Sequence, residues 1–527
     1  MPTVSKRQRD VDVDGGLATE EGSSVADTPS TDDAAQRLNE RLRAHAPRFA
    51  TALAARAEAL GLRVTRPDGG AIAIPVTATV VVISDERMGQ RQRTAALLSS
   101  ATVKMARAAI TDDARRTAVL GGLSPLEQSL ALATFQQLST LATTRVDFIG
   151  EGDALRALEV NATIPAMQGY SDIAARAFFD VVGAHVGAPS STIADWLHRN
   201  GDNARALHDG LLQGFQALRP GPPPRRIAIL CRRHDAQLTE LVFLRDRLRE
   251  QGQATDIVYP DEIVDDDRAG VIGVVGSDLS YDLVYRHLFV RRLEEAGLVG
   301  ADVVTRLLAA PNGSRAVILN PPASQVEVKA VFALLSEATG DPALADAAGL
   351  DDDELQAIAA SVPWTRLFRG HDVVARVAND PGRFVLKRAW DYGGRAVFVG
   401  HDVGSDAFDA RVQAAWPQAT STRDRSWAAV CALAANDIRG GGFVVQEAVS
   451  VSPRPHVLCG SAGAVDVDLY VDFSAYASVG VAVQPAWGGV CRGSVSSVVN
   501  IMGGGGVVPL LRAGVAEEVS AALARVA

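Results

Sequence analysis

Apolar and polar positions along this chain repeat with two periods, and the changes between them mark its elements. From about Ala35 to Gly61 the apolar residues recur at helical spacing and predict a first helix. Residues 71–84, AIAIPVTATVVVIS, are dense in β-branched side chains and predict strand, with Pro75 as a break or edge. Residues 87–142 predict Ala/Leu-rich helices broken at Gly121-Gly122, and residues 172–218 return to helical spacing. Between these helical stretches, residues 144–170 predict two short strands. Arg145-Val146-Asp147-Phe148 alternates charged and apolar, Glu151-Gly152-Asp153 supplies turn chemistry, and residues 155–160 return, closed by Glu159-Val160-Asn161.

Arg219-Pro220-Gly221-Pro222-Pro223-Pro224 is the clearest linker. After it, residues 227–230, 238–251 and 254–259 read as strand, helix and strand, which predicts a small parallel α/β unit. The glycines at 270, 273 and 276 do not fit G-x-G-x-x-G and are not read as a dinucleotide loop. Strands are predicted at 281–286, 317–319, 384–387, 396–399, 443–449 and 466–473, and helices at 327–338 and 515–527. Residues 492–500 lead into Gly503-Gly504-Gly505-Gly506. Asp351-Asp352-Asp353-Glu354 is read as a helix cap that complements the dipole, not as a metal site. The expected organisation is a disordered tail over 1–34, a helical region with the hairpin over 35–218, an α/β domain over 225–315, and a last region over 316–527.

Composition narrows the function classes. With 527 residues, two or three domains are expected, and 47% hydrophobic with 22% charged residues is globular. A net charge of −10 argues against a nucleic-acid protein. No apolar run reaches the length of a membrane span and no signal-peptide core is seen, so cytoplasmic residence with reduced thiols is expected. Cys231, Cys431, Cys459 and Cys491 lack C-x-x-C spacing, which argues against structural zinc.

The candidate chemistry sits at strand ends. Residues two apart in a strand share a face, so Arg145 with Asp147, and Glu159 with Asn161, would converge if the strands pair. Two carboxylates and an amide oxygen suit Mg²⁺, and a guanidinium beside them suits a phosphate. The same residues equally suit a half-buried hairpin with a polar face. Lys387 ends a strand before Gly393-Gly394, where an ammonium and turn N–H groups could hold phosphate oxygens; the same pattern also fits an ordinary turn. Gln446-Glu447 on an apolar strand fits a hinge whose backbone reads adenine, or an exposed edge. Asn500 could add a metal or phosphate ligand, or simply make a turn.

In this order, the motifs resemble the circularly permuted branch of the ATP-grasp enzymes, which includes glutathionylspermidine synthase and related carboxylate–amine ligases. The resemblance rests on Arg145-Val146-Asp147, then Glu159-Val160-Asn161-Ala162 and Pro165, far ahead of Lys387, and extends weakly over residues 140–510. It implies an α+β, circularly permuted ATP-grasp fold with a preceding α/β domain. It implies ATP and Mg²⁺ as cofactors, with Asp147, Glu159 and Asn161 on the metal and Arg145 stabilising the transferring phosphoryl group. It further implies Lys329 and Lys387 on ATP, Gln446 and Glu447 at the adenine hinge, a closing loop at Gly393 and Gly394, and Arg492 and Asn500 near the phosphates or the carboxylate. The implied reaction joins a small-molecule carboxylate to an amine through an acyl phosphate; alternatives are a small-molecule kinase on the same scaffold or a non-catalytic nucleotide-binding protein. The chain departs from the family in carrying Thr163-Ile164-Pro165 where an acidic residue is usual. It also has a longer loop after Lys387 that lacks a glutamate, and no cysteine–histidine amidase domain.

Overall fold

The structure is a computed structural model that describes residues 31–135, 138–150, 154–265, 270–295, 302–309, 316–391, 393–501 and 504–526. The expected turn at Glu151-Gly152-Asp153 lies outside the described residues, as does most of the expected tail. Residues 31–34 belong instead to the first helix, Thr31–Ala59, whose Asp32 and Asp33 favour its positive N-terminal end.

A seven-stranded sheet organises the fold. Its strands run in the order Arg454–Gly460, Val76–Thr77, Gly506–Val508, Gly489–Ser494, Gly463–Val479, Leu141–Ile149 and Arg156–Asn161. The 17-residue strand Gly463–Val479 is far longer than the 466–473 stretch expected. Its first half pairs with Arg454–Gly460, and its second half with both Gly489–Ser494 and Leu141–Ile149. Against it packs helix Asp85–Thr111, whose Ser84 cap accepts from the Arg87 N–H. Leu98, Met105 and Ala106 of that helix join Phe148 and Ala475 of the sheet in one apolar cluster. Helices Thr31–Ala59, Gln168–His185 and Ala513–Leu523 contribute to another such cluster.

The expected 71–84 strand is three short pieces, Ala71–Ala73, Val76–Thr77 and Val81–Ile83, each in a different sheet. Pro75 breaks it as expected, because a proline nitrogen cannot donate to a ladder.

After the linker, strands Val317–Leu319, Leu283–Arg286, Arg226–Leu230 and Ala254–Val258 form a parallel sheet in that order. Its fourth member, Val317–Leu319, lies beyond residue 315. The Gly270–Gly276 stretch contributes Ile272–Val274 to a small antiparallel sheet. Asp351 caps helix Asp352–Ser361 in a reciprocal box with Glu354, as read from the acidic run.

A second antiparallel sheet carries Lys387. Its order is Thr365–Leu367, Phe443–Glu447, Phe384–Arg388, Val397–Val399. Helix Lys329–Ala338 packs against its edge strand Thr365–Leu367.

Candidate functional site

The hairpin strands pair so that Arg145 faces Asn161 and Asp147 faces Glu159. The sequence expectation of a shared polar face is therefore met in the register. Strand Leu141–Ile149 is buried along its whole length, so its charged residues need partners. Arg145 donates to both Asp147 oxygens, from Nε at 2.7 Å and Nη2 at 3.0 Å, and from Nη1 to the Ala166 carbonyl at 3.0 Å. Arg492 approaches Asp147 Oδ2 at 2.9 Å, and Asn161 Nδ2 donates to the same oxygen at 3.2 Å.

A residue that the sequence reading passed over completes this network. Asp472 lies opposite Arg492 in the sheet and accepts from its backbone N–H at 3.0 Å and its Nε at 3.0 Å; Arg492 Nη2 also contacts it. The alternation of DVDLYVDF puts an acid on a buried strand, a signal that was available but had no partner to point to. Burial works against the Asp147 carboxylate, yet the Arg145 and Arg492 guanidiniums hold it well below the usual range. For Asp472, burial wins over Arg492, with Asp147 adding repulsion, and the carboxyl is pushed up.

The opposite wall is built differently. Lys387 is buried; its Nζ donates to Gln446 Oε1 at 2.7 Å and to the Leu158 carbonyl at 3.3 Å, and it makes no salt bridge among the described residues. Burial lowers the ammonium to about 8, with Glu159 opposing and Lys329 adding to the effect. Lys329 begins its helix, lies 3.3 Å from Glu159 and donates to the Asp391 carbonyl at 3.0 Å. Burial would raise Glu159, but the Lys329 charge and Lys387 bring it below its ordinary value.

The expected hinge residues, Gln446 and Glu447, both line the cleft, and their side chains have partners of their own. The Gln446 amide is buried, accepting from Lys387 and donating to Thr365 Oγ1 at 3.1 Å, so its side chain holds the lysine. Glu447 accepts from Arg383 at 2.7 Å. Gly393 and Gly394 have φ of 70° and 72°, a backbone that favours glycine, and Asn500 Nδ2 donates to the Gly393 carbonyl at 3.2 Å. Asn500 thus tethers this loop. It lies beyond the strand, which ends at Ser494 and not near residue 500.

A cleft of about 350 Å³ separates the two walls, and every residue singled out from the sequence lines it. Its lining brings Arg145, Arg492, Lys329, Lys387 and Arg395 together with Asp147, Glu159, Asp472, Glu327, Asp391 and Glu447, so basic groups that can meet an anion are interleaved with acids. Apolar side chains also line it, with Leu158 and Ile149 from the hairpin and Val385, Val397 and Val399 from the lysine-bearing sheet. Such walls can sandwich a planar ring. Glu327 is a further residue missed in the sequence. Its carboxylate accepts from the Ala162 and Thr163 N–H groups at 3.1 and 2.7 Å, so an acid sits beside Thr163 after all.

The fit to Mg²⁺ is partial. Glu159 and Asn161 reach the cleft, but both Asp147 oxygens are engaged by guanidiniums. Among the described residues no group of three or more His, Cys, Asp or Glu is arranged to hold a metal. A metal here would be held by Glu159 and Asn161, with Asp147 joining only if Arg492 gives up its contact. No described helix is long and apolar enough to cross a membrane.

No family model and no curated protein matches this sequence. Among solved structures, a glutathione synthetase-like effector from Globodera pallida in its apo form matches over 90% of this chain and 97% of its own, with a TM-score of 0.53 and 12% identity. A provisionally named gamma-glutamylcysteine synthetase from Methylobacillus flagellatus KT covers 81% of this chain and 96% of its own at 12% identity, with a TM-score of 0.36, too low to support an argument. At such identities the likeness concerns the fold: this chain has a mixed α/β architecture similar to that of the glutathione synthetase-like effector.

Proposed function

We propose that this chain is an ATP-dependent carboxylate–amine ligase of circularly permuted ATP-grasp type, releasing ADP. The observation that carries the reading is the meeting of the Glu159 hairpin and the Lys387 strand across one cleft, although they lie far apart in sequence. The likeness of fold to a glutathione synthetase-like protein supports it. Glu159 precedes Lys387 in the chain, which is the permuted order.

In this reading the apolar walls take the adenine, and Lys387 and Lys329 take phosphate oxygens. Bound Mg²⁺ would neutralise phosphate charge and help to align the terminal phosphate. Arg145 and Arg492 lie where negative charge grows as the substrate carboxylate attacks that phosphate, giving an acyl phosphate and ADP. The amine then attacks the acyl carbon and phosphate leaves, forming the amide. The Gly393-Gly394 loop, held by Asn500, covers the phosphates and keeps water from the acyl phosphate.

The test is ADP release from Mg²⁺-ATP against a panel of amino acids, peptides and polyamines, with mass spectrometry of the product. An amide formed in step with ADP is the expected result. A stable phosphoester would replace the ligase by a kinase. The saturation of Asp147 by two guanidiniums favours a second reading, a nucleotide-binding protein without turnover. Tight Mg²⁺-ATP binding with no ADP from any panel member would establish that one instead.

A further inference from the structure

A second cavity, of about 370 Å³, lies at the outer edge of the lysine-bearing sheet. It is lined by Arg115, Arg366 and Arg369, by Asp112 and Glu337, and by an apolar floor that includes Leu334. None of these residues lines the cleft.

The charges there are unevenly matched. Asp112 caps helix Asp113–Leu120 by accepting from the Arg115 N–H at 2.9 Å, and lies 3.4 Å from the Arg115 guanidinium. Among the described residues Arg366 donates to neutral acceptors alone, Ser336 Oγ at 3.0 Å and the Thr365 carbonyl at 2.7 Å. Its guanidinium sits 5.1 Å from the Trp364 ring centre, and Arg376 lies 4.5 Å from the same ring. Two like charges thus share one indole. Burial lowers Arg366, with Glu337 opposing and Arg376 reinforcing. Arg369 is exposed at the rim and forms no ion pair among the described residues. With Asp112 set against Arg115, Glu337 is the one remaining acid of the lining against two guanidiniums, Arg366 and Arg369.

We propose that this cavity binds a small organic oxyanion, a phosphate or carboxylate group on an apolar body. The head group lies between Arg366 and Arg369, where planar guanidiniums match its oxygens, and the body rests on the apolar floor. The site is connected to the cleft. Ser336 Oγ accepts from both Arg366 and the Thr365 N–H, Thr365 Oγ1 accepts from Gln446, and Gln446 holds Lys387. An anion that draws Arg366 away from Ser336 therefore acts on the group that positions the cleft lysine.

The test uses the full chain, titrated calorimetrically with phenyl phosphate and separately with phenylacetate. Saturable binding of at least one probe is expected, weakened roughly tenfold by Arg366→Gln, as for loss of a charge-assisted contact. A smaller loss is expected for Arg369→Gln, an exposed position whose substitution leaves the fold intact. Lys387→Met should keep saturable probe binding, with affinity shifted severalfold at most through the connection. Absence of binding by both probes, indifference to both arginine substitutions, or loss of binding in Lys387→Met overturns the site; the last result would place the probe in the cleft. The connection rests on the nucleotide reading and is tested apart from the site. A bound probe should shift Mg²⁺-ATP affinity severalfold, and ATP should shift probe affinity by the same factor. Equal affinities with and without the probe would overturn the connection while the arginine dependence still decides the site.

Discussion

The two walls of the cleft solve the problem of buried charge in opposite ways. On the hairpin wall, Arg145, Asp147, Arg492 and Asp472 alternate in sign and satisfy one another within the protein. On the other wall, Lys387 is buried with an amide and a carbonyl for company and, among the described residues, no carboxylate in contact. A closed network compensates its own buried charges before any ligand arrives, so that removing one member is costly. A buried ammonium without a counter-ion works against folding and is favoured only once an anion enters. The difference separates the part of the site that holds the sheet together from the part that waits for a ligand.

The largest expected effect comes from breaking the closed network. Asp147→Ala leaves Arg145 and Arg492 buried without their shared partner and should cost about 3–5 kcal/mol in urea unfolding. A loss under about 1 kcal/mol would show that the network is not closed as described. On the opposite wall the sign should reverse. Lys387→Met removes a buried charge and should raise stability at neutral pH, while Mg²⁺-ATP affinity falls roughly tenfold with the lost charge-assisted contact. If the variant is instead destabilised at neutral pH, the contrast between the walls fails.

The pH dependence follows from the same lysine. Its folded value of about 8 lies below that of an ordinary lysine, so between the two the unfolded chain holds more protons. Stability should therefore rise with pH across that window, and Lys387→Met should remove the rise. Nucleotide affinity should fall over the same window, with proton uptake on binding, seen as a buffer-dependent heat in calorimetry. Affinity that is flat from neutral pH upward would separate Lys387 from the ligand. The smallest effect is expected from Gln446→Ala, about 1 kcal/mol in stability for the lost hydrogen bonds and a few-fold weaker nucleotide binding.

Much of the site was legible because strand geometry is local. Once residues 144–161 pair, the period of two places Arg145, Asp147, Glu159 and Asn161 together with no further information. Asp472 was not legible, because its importance depends on strand Gly463–Val479 lying between Leu141–Ile149 and Gly489–Ser494. The side-chain partners of Gln446 were not legible either. Its amide is tied to Lys387 and Thr365, and neither pairing leaves a mark in the residues next to it.

By itself, the sequence determined the helices of residues 31–133, 168–218, 238–250, 329–338 and 513–523, the Asp351 cap and the alternating faces of the hairpin strands. These follow from backbone preferences and from side chains within a few residues of one another. Only the tertiary structure decided which strands became neighbours, and with them which charges were neutralised and which were left waiting. The physical reason is that a strand edge accepts any partner. The choice is made by burying both faces of Leu141–Ile149, and burial compels its charged residues to find counter-ions: Arg145 finds Asp147 two residues along, and Asp147 also finds Arg492 from hundreds of residues away.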